Sequence, residues 1–296
     1  MIVETGRKVT AARISIFSNL FLVFAKLIVG FVTSSVSVLS EAVHSGIDLV
    51  ASGIAFFSVR RSDVPPDQRH AFGHGKIENI SGFLEALLIF LAALLIVYEA
   101  VAKLSVKEPI RSLNLGIIVM GLSAVINLAV SLYLLKTARE TDSIALEADA
   151  HHLLTDVYTS VGVMMGLLLI RLTGIVLFDP LMALGVAILI TKTAYTLTRK
   201  SLEPLLDAKL PDEEEELVAS IIRDHSPRAL EFHSLRTRKA GSQRHIDLHL
   251  VVRKDTHVEE AHQLCDDLEF HIQAELPNSV VSIHIEPDEE DENSPS

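Results

Sequence analysis

The chain has 296 residues, of which 49% are hydrophobic, with a mean hydropathy of +0.37, no Trp and a single cysteine, Cys265. Such an apolar balance excludes an ordinary soluble globule, and one cysteine excludes an intrachain disulfide. A net charge of −12 leaves no basic footprint for a nucleic-acid partner.

The apolar residues concentrate before Leu202. A bilayer crossing takes roughly 20 mostly apolar residues, and six stretches predict spans: 14–32, 36–59, 80–101, 115–135, 145–172 and 181–197. The first is followed at once by the second and shows no small-residue cleavage site, so it reads as a span and not a signal peptide.

The second span reads "VSVLSEAVHSGIDLVAS" and places His44 four residues before Asp48. The fifth reads "LEADAHHLLTDVYTS" and repeats the pattern with His152 and Asp156. Residues four apart share one helix face. An ionisable group at mid-bilayer costs about 2.5–3.5 kcal/mol on insertion scales and therefore needs a partner. Two imidazoles and two carboxylates on facing helices supply four ligands, the tetrahedral number that zinc takes. Glu41 and Asp149 each precede the histidine by three; they are either approach residues for a cation or interfacial charges.

Between the second and third spans, "DQRHAFGHGKIE" gathers Asp67, His70 and His74 in a polar loop, a spacing compatible with chelation. Gly73 and Gly75 free the backbone there. Past the sixth span, the sequence predicts a helix over 212–224, strands over 231–239 and 245–253 around the hairpin loop Ala240-Gly241-Ser242, a helix over 258–275 and a strand over 280–285. His233 and His249 fall on the hairpin strands, while His284 and Glu286 share one face of the last strand. His245, His257 and His271 are expected to face solvent. The expected fold is thus a six-helix membrane bundle over 1–207, an αββαβ domain over 208–287, and an acidic tail over 288–296.

Basic residues set the orientation. Arg7, Lys8, Arg60, Arg61, Arg69, Lys76, Lys136, Arg139, Arg199 and Lys200 fall on one side of the six-span layout; Lys103, Lys107, Arg111 and Arg171 fall on the other. The positive-inside rule then predicts cytoplasmic termini and an inner (plasma) membrane location.

The segments "GFVTSSVSVLSEAVHSGIDL", "RHAFGHGKIE" and "EADAHHLLTD" resemble those of the cation diffusion facilitator family, the bacterial zinc-efflux type in particular. The resemblance covers nearly the whole chain and implies a homodimeric metal/proton antiporter with a metallochaperone-like cytoplasmic domain, not an enzyme. It implies a transport site of His44, Asp48, His152 and Asp156, and a surface metal site of Asp67, His70 and His74. It further implies a binuclear zinc site in the tail drawn from His233, His249, His262, His284 and Glu286, where relatives often carry Asp at the position of Glu286. Some relatives carry Asp at the position of His44, and the His version goes with stricter zinc selection. Imidazole disfavours magnesium and manganese, whereas iron, cobalt and nickel stay open. A charge pair between Lys76 and Asp207 is implied as well.

Zinc binds neutral imidazole and ionised carboxylate, so loading displaces protons and protonation displaces metal. An intramembrane metalloenzyme would need an open coordination position and a general base; four ligands and no HExxH motif speak against one. A membrane-anchored metal sensor or buffer, and a channel-like pathway, remain as alternatives.

Overall fold

The computed structural model describes residues 2–33, 36–105, 114–175, 177–225 and 228–288. Within these, the side chains of 2–5, 33, 36–41, 103–105, 114–120, 167, 171 and 179 are not described, so the expectations for Glu41, Lys103, Lys107, Arg111 and Arg171 lie outside the described side chains.

The chain divides into two compact units, Met1–Leu202 and Glu203–Ser296. The first contains α1 (Ile2–Thr33), α2 (Val36–Ser62), α3 (Lys76–Ser105), α4 (Asn114–Thr141), α5 (Ile144–Thr173) and α6 (Phe178–Leu202). All six are long and apolar enough to cross a membrane. They extend beyond the predicted spans because polar residues at their ends find partners on neighbouring helices.

Glu78, in the first turn of α3, is 1% exposed and accepts a 3.0 Å bond from Lys8 of α1, another of 3.0 Å from Ser62 of α2, and one from Ser143, the N-cap of α5. Arg7 pairs with Glu140 near the end of α4, and Lys200 near the end of α6 lies 2.5 Å from Glu147. These contacts gather the starts of α1, α3 and α5 and the ends of α2, α4 and α6 at one end of the bundle. Consecutive helices therefore run antiparallel, as the short connections require.

The fifth helix is central. One of its faces, with Ala145, Leu146, Ala150 and Leu153, packs with Ala11 and Ala12 of α1, Val59 of α2 and Leu134 of α4. Ala148 packs instead with Ile89 of α3 and Ile190 and Leu197 of α6. Small residues let the backbones approach. A Cβ at Gly162 would stand 2.5 Å from Val186 Cγ2, and one at Gly82 would stand 2.7 Å from Ser201 Oγ. Phe17, Phe21, Phe24, Ile28 and Phe31 form an exposed stripe along α1, an apolar surface suited to lipid.

The second unit begins with a 3-10 turn (Glu203–Leu206), followed by α7 (Asp212–Asp224), β1 (Glu231–Ala240), β2 (Gln243–Val252), α8 (Val258–Glu275) and β3 (Ser279–Pro287). Four acidic residues open α7, where the helix dipole favours them. The sheet has the order β1-β2-β3, with β1/β2 antiparallel and β2/β3 parallel. Ile246, Leu248, Leu250 and Val252 point to one side of β2 and pack with Val218 and Ile222 of α7 and Leu264, Leu268 and Ile272 of α8. Asp247, His249 and Val251 alternate onto the other side.

Phe232 and Leu235 both pack on this core although they stand three positions apart, an odd spacing for one face of a strand. An extra residue must be absorbed, and β1 has a bulge between His233 and Arg236, with Ser234 at a left-handed φ of 54°. His245 departs from expectation: it is 6% exposed, because β2 is the middle strand and Arg238 and Val280 flank it. Cys265 is buried in α8.

Candidate metal centres

The crossing of α2 and α5 brings the two intramembrane His/Asp pairs together. His152 Nε2 lies 3.1 Å from Asp48 Oδ1, and His44 Nε2 lies 3.4 Å from Asp156 Oδ1. Donor atoms of His44, Asp48 and Asp156 all fall within 4.8 Å of one another. The antiparallel helices cross so that each imidazole meets the other helix's carboxylate. Burial is graded: the Asp48 and His152 side chains are 4% and 8% exposed, those of His44 and Asp156 50% and 19%.

Polar neighbours hold this site. Asn127 of α4 donates to Asp156 Oδ2 at 3.2 Å. Asn19 of α1 donates to Ser52, whose hydroxyl lies 3.1 Å from the Asp48 carbonyl and 3.1 Å from Asp149 Oδ1. The groups that Asn127 and Asn19 bond lie on other helices, so sequence spacing offered no partner for either. The donor set, two imidazoles and two carboxylates with charge −2, fits a soft-to-borderline divalent cation.

The loop before α3 gathers the second group. Asp67 Oδ1 accepts from the backbone amides of His70 (2.7 Å) and Arg69 (2.8 Å), closing an Asx-type turn. Those bonds hold the Asp67 carboxyl below the usual carboxylate range. His74 is 6% exposed; its Nδ1 lies 3.2 Å from the Val64 carbonyl, and its Nε2 faces Asp67 Oδ2 at 3.5 Å. An Nδ1–H donated to a carbonyl leaves the Nε2 lone pair for a metal. Gly73, at a φ of 78°, turns the chain between the two histidines, whose rings are 4.5 Å apart.

In the second unit, His233, His249 and His284 occupy one register row across all three strands. Ring centroids are 5.2 Å apart between His233 and His249, and 4.8 Å between His249 and His284. Glu286 joins them, with Oε2 2.9 Å from His233 Nε2 and Oε1 2.8 Å from His249 Nδ1. Partial burial works against the Glu286 anion, but the bonds from His249 and His233 prevail and hold its carboxyl below its ordinary range. The longer glutamate arm therefore reaches both rings. Ser234 Oγ lies 3.1 Å from His233 Nδ1, so the bulge residue orients this ring; only strand register could have revealed it.

His262 does not join this group. It sits on α8, which packs on the opposite side of the sheet, and its Nδ1 faces Asp266 at 3.7 Å. His271 is exposed, with its ring against His225, and His257 is the exposed N-cap of α8. Asp207 lies 3.5 Å from Arg238 within the second unit.

Comparison with known proteins agrees with this architecture. Residues 12–206 match the model of the cation efflux transmembrane domain, and residues 210–288 match ZT_dimer, the cytoplasmic domain of cation efflux proteins. An uncharacterized transporter of Synechocystis sp. is 38% identical over 256 residues, covering 86% of this chain and 83% of its own length. The cation-efflux pump FieF of Klebsiella pneumoniae is 33% identical over 285 residues, covering 95% and 94%. A solved chain of the candidate zinc transporter CzrB is 46% identical, covering 27% of this chain and 99% of that one, with a TM-score of 0.27.

Proposed function

The chain belongs to the cation efflux (cation diffusion facilitator) family of multi-pass membrane transporters, and from that premise we propose that it exports zinc in exchange for protons. The observation that carries this reading is the double cross-pairing of His44 with Asp156 and Asp48 with His152. Nitrogen and oxygen donors in equal number suit zinc, and disfavour magnesium and manganese.

The pairing also supplies the coupling. Each imidazole faces a carboxylate that can bind the same proton or the same metal, so protons and zinc compete for one set of atoms. The burial gradient from Asp48/His152 to His44/Asp156 supports a site open toward the bundle end remote from Lys8 and Glu78. The basic residues at the Lys8 end support a cytoplasmic location for that end and for both termini, in an inner (plasma) membrane. On this reading His44 exchanges metal with the outside. The match to ZT_dimer supports a homodimer.

The loop and sheet groups are regulatory or structural zinc sites on this reading. Their donors fit: His74 Nε2, His233 Nε2 and His249 Nδ1 are each directed at a carboxylate oxygen. The test is flux in proteoliposomes across a panel of zinc, cadmium, iron, cobalt, nickel and manganese, with internal pH recorded. Zinc uptake that accelerates an opposing proton flux is expected; zinc movement with no pH response would leave transport without antiport.

A further inference from the structure

Three buried residues one step from the His/Asp site supply none of its four donors. Glu85 of α3 and Asp149 of α5 are both 0% exposed, and Ser81, one turn before Glu85, is 3% exposed. Asp149 is the charged group that faces Glu85. Ser81 is the hydroxyl set beside the Glu85 carboxylate, and by bond geometry neither it, nor either Glu85 oxygen, nor Asp149 Oδ2 completes a hydrogen bond. Four orphaned oxygens from three side chains thus meet where α3 packs on α5.

Their surroundings sharpen the problem. Ala86 and Ile89 beside Glu85, and Ala148 beside Asp149, belong to the apolar α3–α5–α6 cluster. A buried carboxylate that lacks a partner is strongly disfavoured, and two facing each other more so. One divalent cation satisfies both charges and gives the Ser81 hydroxyl something to coordinate. Asp149 Oδ1 meanwhile stays engaged with Ser52, which also bonds the Asp48 carbonyl. Asp149 stands one turn before His152, toward the bundle end that holds Lys8 and Glu78.

We propose that Ser81, Glu85 and Asp149 form a second intramembrane subsite, an all-oxygen one, that takes a divalent cation before it passes to the His/Asp site. This rests on the reading of the chain as a divalent-cation transporter. An all-oxygen set holds zinc less tightly than the mixed set beyond it and accepts manganese more readily. The cation thus meets a weaker site first and a stronger one next.

Manganese is therefore the probe, added to the full-length protein in lipid nanodiscs and counted by electron paramagnetic resonance. Glu85→Gln, close in shape to the parent, is expected to bind about one manganese fewer per chain, and Asp149→Asn likewise. Ser81→Ala, which changes no charge, should weaken that ion about tenfold, as loss of a supporting group does; His152→Ala should retain it. In zinc flux, Glu85→Gln should raise KM about tenfold with kcat much less affected. An unchanged manganese count in both carboxyl variants overturns the subsite. So does an unchanged count accompanied by a shifted pH dependence of flux, which would assign the pair to proton transfer. The count uses no gradient, so it decides the subsite even where zinc antiport itself fails.

Discussion

His152 Nε2 lies 3.1 Å from Asp48 Oδ1 across 104 residues of sequence, and His44 repeats the contact with Asp156 at 3.4 Å. The reciprocity means that no single helix holds a complete site. Any movement of α5 against α2 pulls donors apart in pairs, which is the property alternating access needs.

Selectivity should follow the His44 imidazole. His44→Asp replaces a nitrogen donor with oxygen at the more exposed side of the site. We expect the cadmium-to-zinc rate ratio in proteoliposomes to rise about tenfold, equivalent to ~1.4 kcal/mol. An unchanged ratio would place selection elsewhere.

Zinc should stabilise the second unit, which has its own core. At a hundredfold excess over Kd, a ligand adds about 2.7 kcal/mol, which for a domain this small raises Tm by about 10 °C or more. The double variant His249→Ala, His284→Ala should lose most of that rise in a thermal melt of residues 203–288. A double variant that responds like the parent would remove the sheet row from the account.

Ser234 should matter in two separable ways. Ser234→Gly keeps the left-handed backbone but deletes the hydroxyl beside His233 Nδ1. We expect near-parent stability with zinc affinity down about tenfold. Ser234→Val forces a β-branched residue into that conformation and should lower Tm, by about 1–2 kcal/mol of stability. Equal zinc affinity in Ser234→Gly would show that the hydroxyl does not orient the ring.

The legible part of the fold was the part written in local patterns. Hydropathy over bilayer length gave six spans, and period-two alternation gave the strands. Four-residue spacing exposed His44/Asp48 and His152/Asp156. Asn127 and Glu85 were illegible because the group each faces, Asp156 and Asp149, lies on another helix. Ser234 and buried His245 depend on a bulge and on the middle-strand position, both properties of register. His262 followed from resemblance alone, and α8 packs on the side of the sheet away from the histidine row.

Acid should unfold the second unit partly through Lys209, which lies 2.6 Å from Asp212 and 2.9 Å from Glu215. The Lys209 hydrogen bond holds Asp212 below its ordinary 3.8. Burial raises Glu215, but bonds from Thr237 and Lys209 outweigh it and hold the group below 4.5. Groups depressed in the folded state contribute stability above their unfolded values, and that stability is lost as pH falls through the folded ones. The Tm difference between parent and Lys209→Met should therefore be a few degrees at neutral pH and close on acidification below 3.8. A gap that is constant across pH would rule this pairing out.

The central claim is that zinc crosses through the paired His/Asp site, and the most direct measurement is zinc flux by purified Asp48→Ala in proteoliposomes beside the parent. The site predicts parent flux that responds to a pH gradient, and flux at the protein-free background for the variant. The variant should keep the parent's helicity and oligomeric state. Parent-level zinc flux through a folded Asp48→Ala would contradict the account.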